Sequence, residues 1–240
     1  MGSVVSIGVD IGQKVDPTAL AVCEAQTRGE GPTRGDVIFR ARHLERLPLG
    51  TPFTEVSERT SEVVRGVIAR PPATGERLRS GAITINVDAT GVGAPIVEML
   101  KKRIDSRECI VRAVYFTHGD RLTRREDGLS LGKAYLVSRL QALLQSGRIK
   151  LPRNAEAEEL ARELLDYEIR VGEDANDKYG AFKVGTHDDL VTALGLAVLK
   201  DPKERRRVRV YSTEGALSPA RRSLHTPMPG RDAFGYRIRE

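Results

Sequence analysis

At 240 residues with a hydrophobic share of 40%, the chain is long enough to bury a substantial core and too apolar to belong to the disordered class. Its two cysteines, Cys23 and Cys109, lie far apart in apolar runs, which argues against a disulfide framework or a Cys-ligated zinc site and for buried thiols in a reducing compartment. The formal charge of +6 is uneven: Lys200 to Glu240 hold eleven Lys/Arg against five Asp/Glu, so the tail carries the excess and the body is balanced.

The chain opens with "VVSIGVDIG", a strand ending at Asp10, and "TALAVCEA" follows after a Gly/Pro-containing turn. "DVIFRARHLE" alternates as a third strand, so the first three read as an antiparallel meander. "FTEVSERTSEVVRGVIAR" places Val56, Val63, Val64, Val67 and Ile68 at helical spacing. "AITINVDATGVGAPIVEMLKKR" reads as strand, glycine turn and helix, and "CIVRAVYF" as a further strand. "SLGKAYLVSRLQALLQSGRI" is expected to be a helix, with Leu136, Leu140, Leu143 and Leu144 on one side and Gly147 near its end. "AEAEELARELLDYEIRV" gives a helix running into a strand, with which "YGAFKV" pairs as a hairpin across "GEDANDK". A helix from His187 to Leu199 closes the body, and after Pro202 periodicity fades.

This order implies an α/β fold: a mixed β-sheet, antiparallel over strands 1–3 and then parallel, flanked by helices. One domain over residues 1–200 and a basic tail over 201–240 is the economical division. The tail is densest at "KERRRVRV", and it either meets a phosphate backbone or serves as a solvated end. No stretch approaches the roughly 18 uninterrupted apolar residues of a membrane span, and the N-terminus lacks a signal peptide's pattern. A soluble protein of the cytoplasm, without membrane contact, is expected.

Three acidic points carry the chemistry: Asp10 at the end of the first strand, Asp88 at the end of the fourth, and Asp188 with Asp189 at the head of the last helix. Each has a local explanation. Thr186 can act as N-cap, with both helix aspartates favouring the helix dipole. Asp10 can shape a turn with Gly12, and Asp88 one with Gly91 and Gly93. Together they say more. If the first and fourth strands are neighbours with the last helix across them, the carboxylates converge, and such a cluster is tolerable only with cations present. Oxygen donors without cysteine or a histidine set suit Mg²⁺ or Mn²⁺. Two such ions about 4 Å apart activate a water and stabilise the leaving oxygen of a phosphodiester.

In "IGVDIGQKVDPTALAV", "INVDATGVGAPIVEML", "GKAYLVSRLQALLQSGRIKLP" and "GTHDDLVTALGLAV", taken in that order, the chain resembles the nuclease domain of phage large terminase subunits. That family belongs to the RNase H-like superfamily, which also includes Holliday-junction resolvases. The resemblance implies an RNase H-like fold and cleavage of concatemeric viral double-stranded DNA during packaging. It places Asp10, Asp88 and Asp189 as catalytic metal-binding acids, with Asp188 as a substitute or supporting ligand. It implies as partners a packaging ATPase motor, a portal and a small terminase subunit, the isolated domain being a monomer. Large terminases carry a motor ahead of the nuclease, yet no G-x-x-x-x-G-K-[ST] loop occurs here. The motor is therefore expected either in a longer protein, which the opening "MGS" favours, or in a separate chain.

Lys133 stands where the resemblance places a basic residue and is a candidate for contact with the scissile phosphate, and His187 is an auxiliary candidate for metal or water. The hairpin residues Arg170, Lys178 and Lys183, and the tail residues Arg205, Arg206 and Arg207, are candidates for backbone contact with a duplex. With no Trp, five Phe and six Tyr, stacking along a single strand is less suited. Alternatives stay open: a junction resolvase with the same chemistry, or a non-catalytic packaging module. An ATP-binding protein of the actin and sugar-kinase type shares such turns but needs two related lobes, for which the chain is too short.

Overall fold

The computed structural model describes residues 4–12, 14–27, 36–70, 83–166, 168–170, 178–180 and 187–199. Strands β1 (Val4–Asp10), β2 (Ala19–Thr27) and β3 (Val37–Arg46) form the expected antiparallel meander. Helix α1 (Phe53–Ala69) leads to β4 (Ile83–Asp88), which pairs in parallel with β1. A 3₁₀ turn at Gly91–Gly93 and helix α2 (Ala94–Arg103) follow, and then β5 (Cys109–Thr117), parallel to β4. Two short strands, β6 (Leu122–Arg124) and β7 (Gly128–Gly132), form a hairpin on the far edge. Helix α3 (Lys133–Gln145), β8 (Ile149–Lys150), α4 (Ala155–Asp166), a separate hairpin of β9 (Glu168–Arg170) and β10 (Lys178–Gly180), and α5 (Asp189–Ala197) complete the described chain. The sheet order is β6-β7-β5-β4-β1-β2-β3-β8.

Three boundaries differ from the sequence expectation. Ser130–Gly132 belongs to β7, which pairs in parallel with β5, and the helix begins at Lys133. Ile149 leaves the helix to pair with Phe39 of β3. Strands of two to five residues carry too little alternation to register as a period. The last helix starts at Asp189, not His187, and Asp188 occupies the N-cap position without a side-chain cap hydrogen bond. Thr186, expected to cap, lies outside the described residues.

Alternation along the central strands sorts their side chains into two cores. Ile7, Val9, Leu20, Val22, Ile85 and Val87 pack with α1 and α2 on one face. On α1, Ser57, Thr60 and Ser61 join Val56 and Val64 in the buried stripe; the Thr60 and Ser61 hydroxyls donate to the carbonyls of Val56 and Ser57, which satisfies them without a partner strand. The opposite face of β1 and β2 offers small residues, Gly8, Ala19, Ala21 and Cys23, and α5 lies against them with α3 and α4 outside it. Every residue of α5 is buried, the signature of a helix apolar all round. Cys23 and Cys109 are both buried thiols. Among the described residues, no helix is long and apolar enough to cross a membrane.

Helix α5 meets β1 at Gly8, where an added Cβ would stand 1.9 Å from the Ala193 carbonyl oxygen. Backbone on both sides leaves no side chain to move aside. Gly8→Ala is therefore expected to destabilise the domain by at least the roughly 1–3 kcal/mol typical of overpacking. Thermal unfolding of the purified variant checks this; an unchanged midpoint would show that α5 tolerates displacement from the sheet.

Candidate functional site

Parallel pairing places Val9 of β1 opposite Val87 of β4, so Asp10 and Asp88, each one residue on, emerge level with one another from strands about 4.8 Å apart. Val9 and Val87 point into the α1/α2 core, so alternation directs both aspartates toward the side occupied by α5. The position of α5 is set at both ends. Asn86 Nδ2 donates to the Leu196 carbonyl at 2.8 Å, and Arg139 of α3 donates to the Val198 carbonyl through Nη2 and Nε at 2.8 and 3.0 Å. At the other end, the Val191 N–H donates to Glu163 Oε2 of α4 at 3.0 Å. Held this way, the head of α5 brings Asp188 and Asp189 to the same end of the sheet.

The result is an open cavity of about 430 Å³ whose lining includes Asp10, Asp16, Asp88, Asp188, Asp189 and the cations Lys14 and Lys133. The acids named from the sequence thus share one cavity, as does Lys133. The ammonium of Lys133 lies 5.7 Å from the centre of the Phe116 ring. His187 stands beside this group, its Nδ1 3.7 Å from Asp16 Oδ1 and 3.9 Å from Asp189 Oδ2. Asp16, His187 and Asp189 offer ligand atoms all within 4.8 Å of one another, the one such set of three among the described residues. Asp10, Asp88 and Asp189 face the cavity with a wider spread.

The local explanations for the aspartates hold only in part. The turn after Asp10 is closed by Thr18, whose hydroxyl accepts from the Gly12 N–H and donates to the Gly12 carbonyl, at 3.2 and 3.1 Å. Asp10 is not needed to shape it. Asp88 does shape its turn: Oδ1 accepts from the Thr90 N–H at 2.8 Å. Gly91 has φ +61°, and a Cβ on Gly93 would stand 1.8 Å from the Asp88 carbonyl oxygen. That turn fixes the carboxylate's direction at the cavity, so the turn role and the site role coincide.

Electrostatics mark the cluster as strained. Burial, followed by the charges of Asp88, Asp189 and Asp188, holds the Asp10 carboxyl well above its usual range, and Lys133 opposes the shift. Burial raises Asp88 too, against the hydrogen bonds from Thr90. Burial pushes Asp189 up to about 6 although Arg46 and His187 lower it, and burial pushes Glu163 up to about 7. His187 Nδ1 and Asp189 Oδ2 are buried without a hydrogen-bond partner.

Sequence reasoning missed Asp16, Arg46 and Glu163. Asp16 stands in the quoted "IGQKVDPTALAV", six residues beyond Asp10, and its acidity there was a usable signal. Arg46 and Glu163 gave none, because "HLER" and "AEAEELARELLD" read as exposed charge on a strand end and an amphipathic helix. Of the remaining candidates, Arg170 and Lys178 face one another in the register of the β9–β10 hairpin. Lys183, Arg205, Arg206 and Arg207 lie outside the described residues.

A mixed sheet of RNase H-like order, with an acidic cavity where its central parallel strands end, defines the class of protein. Residues 71–201, more than half of the chain, match the family model described as the terminase RNaseH-like domain, and the chain belongs to that family. The matched region contains Asp88, Asp188 and Asp189; Asp10 precedes it. Comparison with curated proteins finds no match. Among solved structures, the large terminase nuclease of thermophilic phage G20c with bound magnesium is similar at 20% identity and a TM-score of 0.52, covering 81% of this chain and 80% of that one. The Thermus phage P74-26 large terminase nuclease domain is similar at 17% identity and a TM-score of 0.50, covering 81% and 78%. The manganese-soaked terminase nuclease domain of human cytomegalovirus is similar at 15% identity and a TM-score of 0.50, covering 84% and 86%. At these identities the likeness is one of fold.

The raised carboxyls have a consequence for stability in the absence of divalent cations. Asp189 rises from 3.8 to about 6 and Glu163 from 4.5 to about 7, so the folded state binds these protons more tightly than the unfolded chain. Their contribution is fully present below about pH 4 and is lost as pH rises through 6 to 7. Thermal unfolding in chelator is expected to show this component, and Asp189→Asn to reduce it. A flat difference between wild type and variant across that window would contradict the assignment.

Proposed function

We propose that the chain is a metal-dependent endonuclease that cuts double-stranded DNA, the terminase nuclease that cleaves concatemeric viral DNA during genome packaging. One observation carries the reading: carboxylates from β1, β4 and the head of α5 converge on a single open cavity whose charge they cannot balance themselves. The donor set is carboxylate oxygen, the preferred ligand of Mg²⁺ and Mn²⁺, and its raised proton affinities are what such cations offset. The similar G20c and cytomegalovirus domains were solved with magnesium and manganese. The spread of Asp10, Asp88 and Asp189 suits two ions better than one.

On this reading Asp10, flanked by the other acids, would be the central carboxylate of the set that holds the cations. Asp88, its direction fixed by the Thr90 N–H, and Asp189 would complete that set, with Asp188 in support of Asp189. The bound cations supply charge stabilisation to the phosphodiester oxygens and lower the proton affinity of water. Lys133, held at the first turn of α3, places a cation at the cavity where a non-bridging phosphate oxygen would lie. His187 orients the Asp16–Asp189 side. The β9–β10 hairpin, with Arg170, Lys178 and Lys183, and the basic tail beyond residue 200, with Arg205, Arg206 and Arg207, contact the duplex backbone independently of sequence. The ATPase motor, portal and small terminase subunit are the partners, and the host cytoplasm the compartment.

The test is nicking and linearisation of supercoiled plasmid in Mn²⁺ or Mg²⁺. Asp10→Ala and Asp88→Ala are each expected to lower the rate by roughly 10²-fold or more, the equivalent of several kcal/mol of transition-state stabilisation, with unchanged circular dichroism. Full activity in either variant, or in chelator, would remove the proposal. A synthetic four-way junction cut in preference to plasmid would assign the same chemistry to a resolvase instead.

A further inference from the structure

Behind the cavity Asp189 joins a network with two residues, Arg46 and Glu163, to which the nuclease reading gives no role. Arg46 is the last residue of β3, Glu163 lies on α4, and Asp189 is the first residue of α5. The Glu163 side chain is only 6% exposed, and its two oxygens serve different partners. Oε1 accepts from Arg46 Nη2, while Oε2 accepts from the Val191 N–H in the first turn of α5. The same guanidinium places its Nε 3.3 Å from Asp189 Oδ2, on a side chain 2% exposed, as an ion pair in which neither atom has a hydrogen-bond partner.

We infer that Arg46, braced by Glu163, is a positioning residue that sets the orientation of Asp189 at the metal-binding cavity. This rests on the reading of Asp189 as a metal ligand. The physical reason lies in the shape of guanidinium. With one arm of this rigid plane hydrogen-bonded to Glu163, its Nε edge is held as a fixed positive charge beside Asp189 Oδ2, a placement the flexible ammonium of lysine does not enforce. Glu163 completes the linkage by tying the same fork to the backbone of α5. The side chain of Asp189 and the helix turn that carries it are thereby referred to one end of β3, and a shift in either is resisted by the other. A simple neutralising role for Arg46 makes the opposite prediction: a positive charge 3.3 Å from a ligand oxygen repels a bound cation, so its removal would tighten cation binding.

That difference in sign is the test. Mn²⁺ is titrated into the whole protein without DNA, free Mn²⁺ is followed by electron paramagnetic resonance, and thermal unfolding is recorded in parallel. Arg46→Lys keeps the charge and loses the fork; it is expected to bind Mn²⁺ about tenfold more weakly, the size of effect seen when a partner of a metal ligand is lost. Arg46→Gln, which also removes the charge, is expected to weaken binding while keeping the fold. Wild-type affinity in Arg46→Lys, or tighter binding in Arg46→Gln, overturns the positioning role and leaves the nuclease reading standing. Failure of the wild type itself to bind Mn²⁺ overturns both.

Discussion

Everything at the acidic cavity depends on how closely α5 lies against β1. A helix can approach a sheet this far only where no side chain intervenes, and Gly8 supplies that gap against the Ala193 carbonyl. Ala19, Ala21 and Cys23 extend the shallow floor along β2. Once docked, α5 is fixed along its axis by Asn86 and Arg139 near its C-terminal end and by Glu163 near its head. Buried polar groups of this kind define one position rather than many, since sliding by even part of a turn would leave them without partners. The head of the helix is thus presented to the ends of β1 and β4.

That arrangement concentrates charge the protein would not otherwise tolerate. Asp10 is raised by burial and by three neighbouring carboxylates, with Lys133 in opposition. The fold's stability and the proposed chemistry pull against each other here: each acid that suits a divalent cation makes the cation-free domain less comfortable when ionised. Strain of this sort belongs at functional sites, where a ligand restores the balance. Much of the remaining architecture, two cores divided by a mixed sheet, serves to hold the strand ends and the helix head in register while bearing that strain.

The residues matched by the family model span Asp88, Asp188 and Asp189, while Asp10 lies ahead of them and joins the cavity through the pairing of β1 with β4. The glycine-rich "DATGVG" shows how local and functional explanations combine. Gly91 and Gly93 are required by the turn itself, and the turn aims the Asp88 carboxylate at the cavity. The aspartate pair resolves differently: Asp188 holds the N-cap position without capping through its side chain, and Asp189 sits in the first turn, buried and paired with Arg46.

Most of this fold was legible in the chain. The meander, the strand–glycine–helix unit and the uniformly apolar last helix all carry their period or composition locally, and strand-end aspartates announce themselves by position. The short strands β6, β7 and β8 did not, because two to five residues hold too little alternation and their pairing energy comes from distant neighbours. Arg46 and Glu163 were invisible for a related reason. Their role comes from burial and from each other, across 117 positions of sequence, and an exposed charge and a buried one are spelled alike. The sequence by itself determined which residues bear acid and where strands end. Only the tertiary structure decided which of those acids meet and what holds them, because that depends on the close approach of elements that share no local signal.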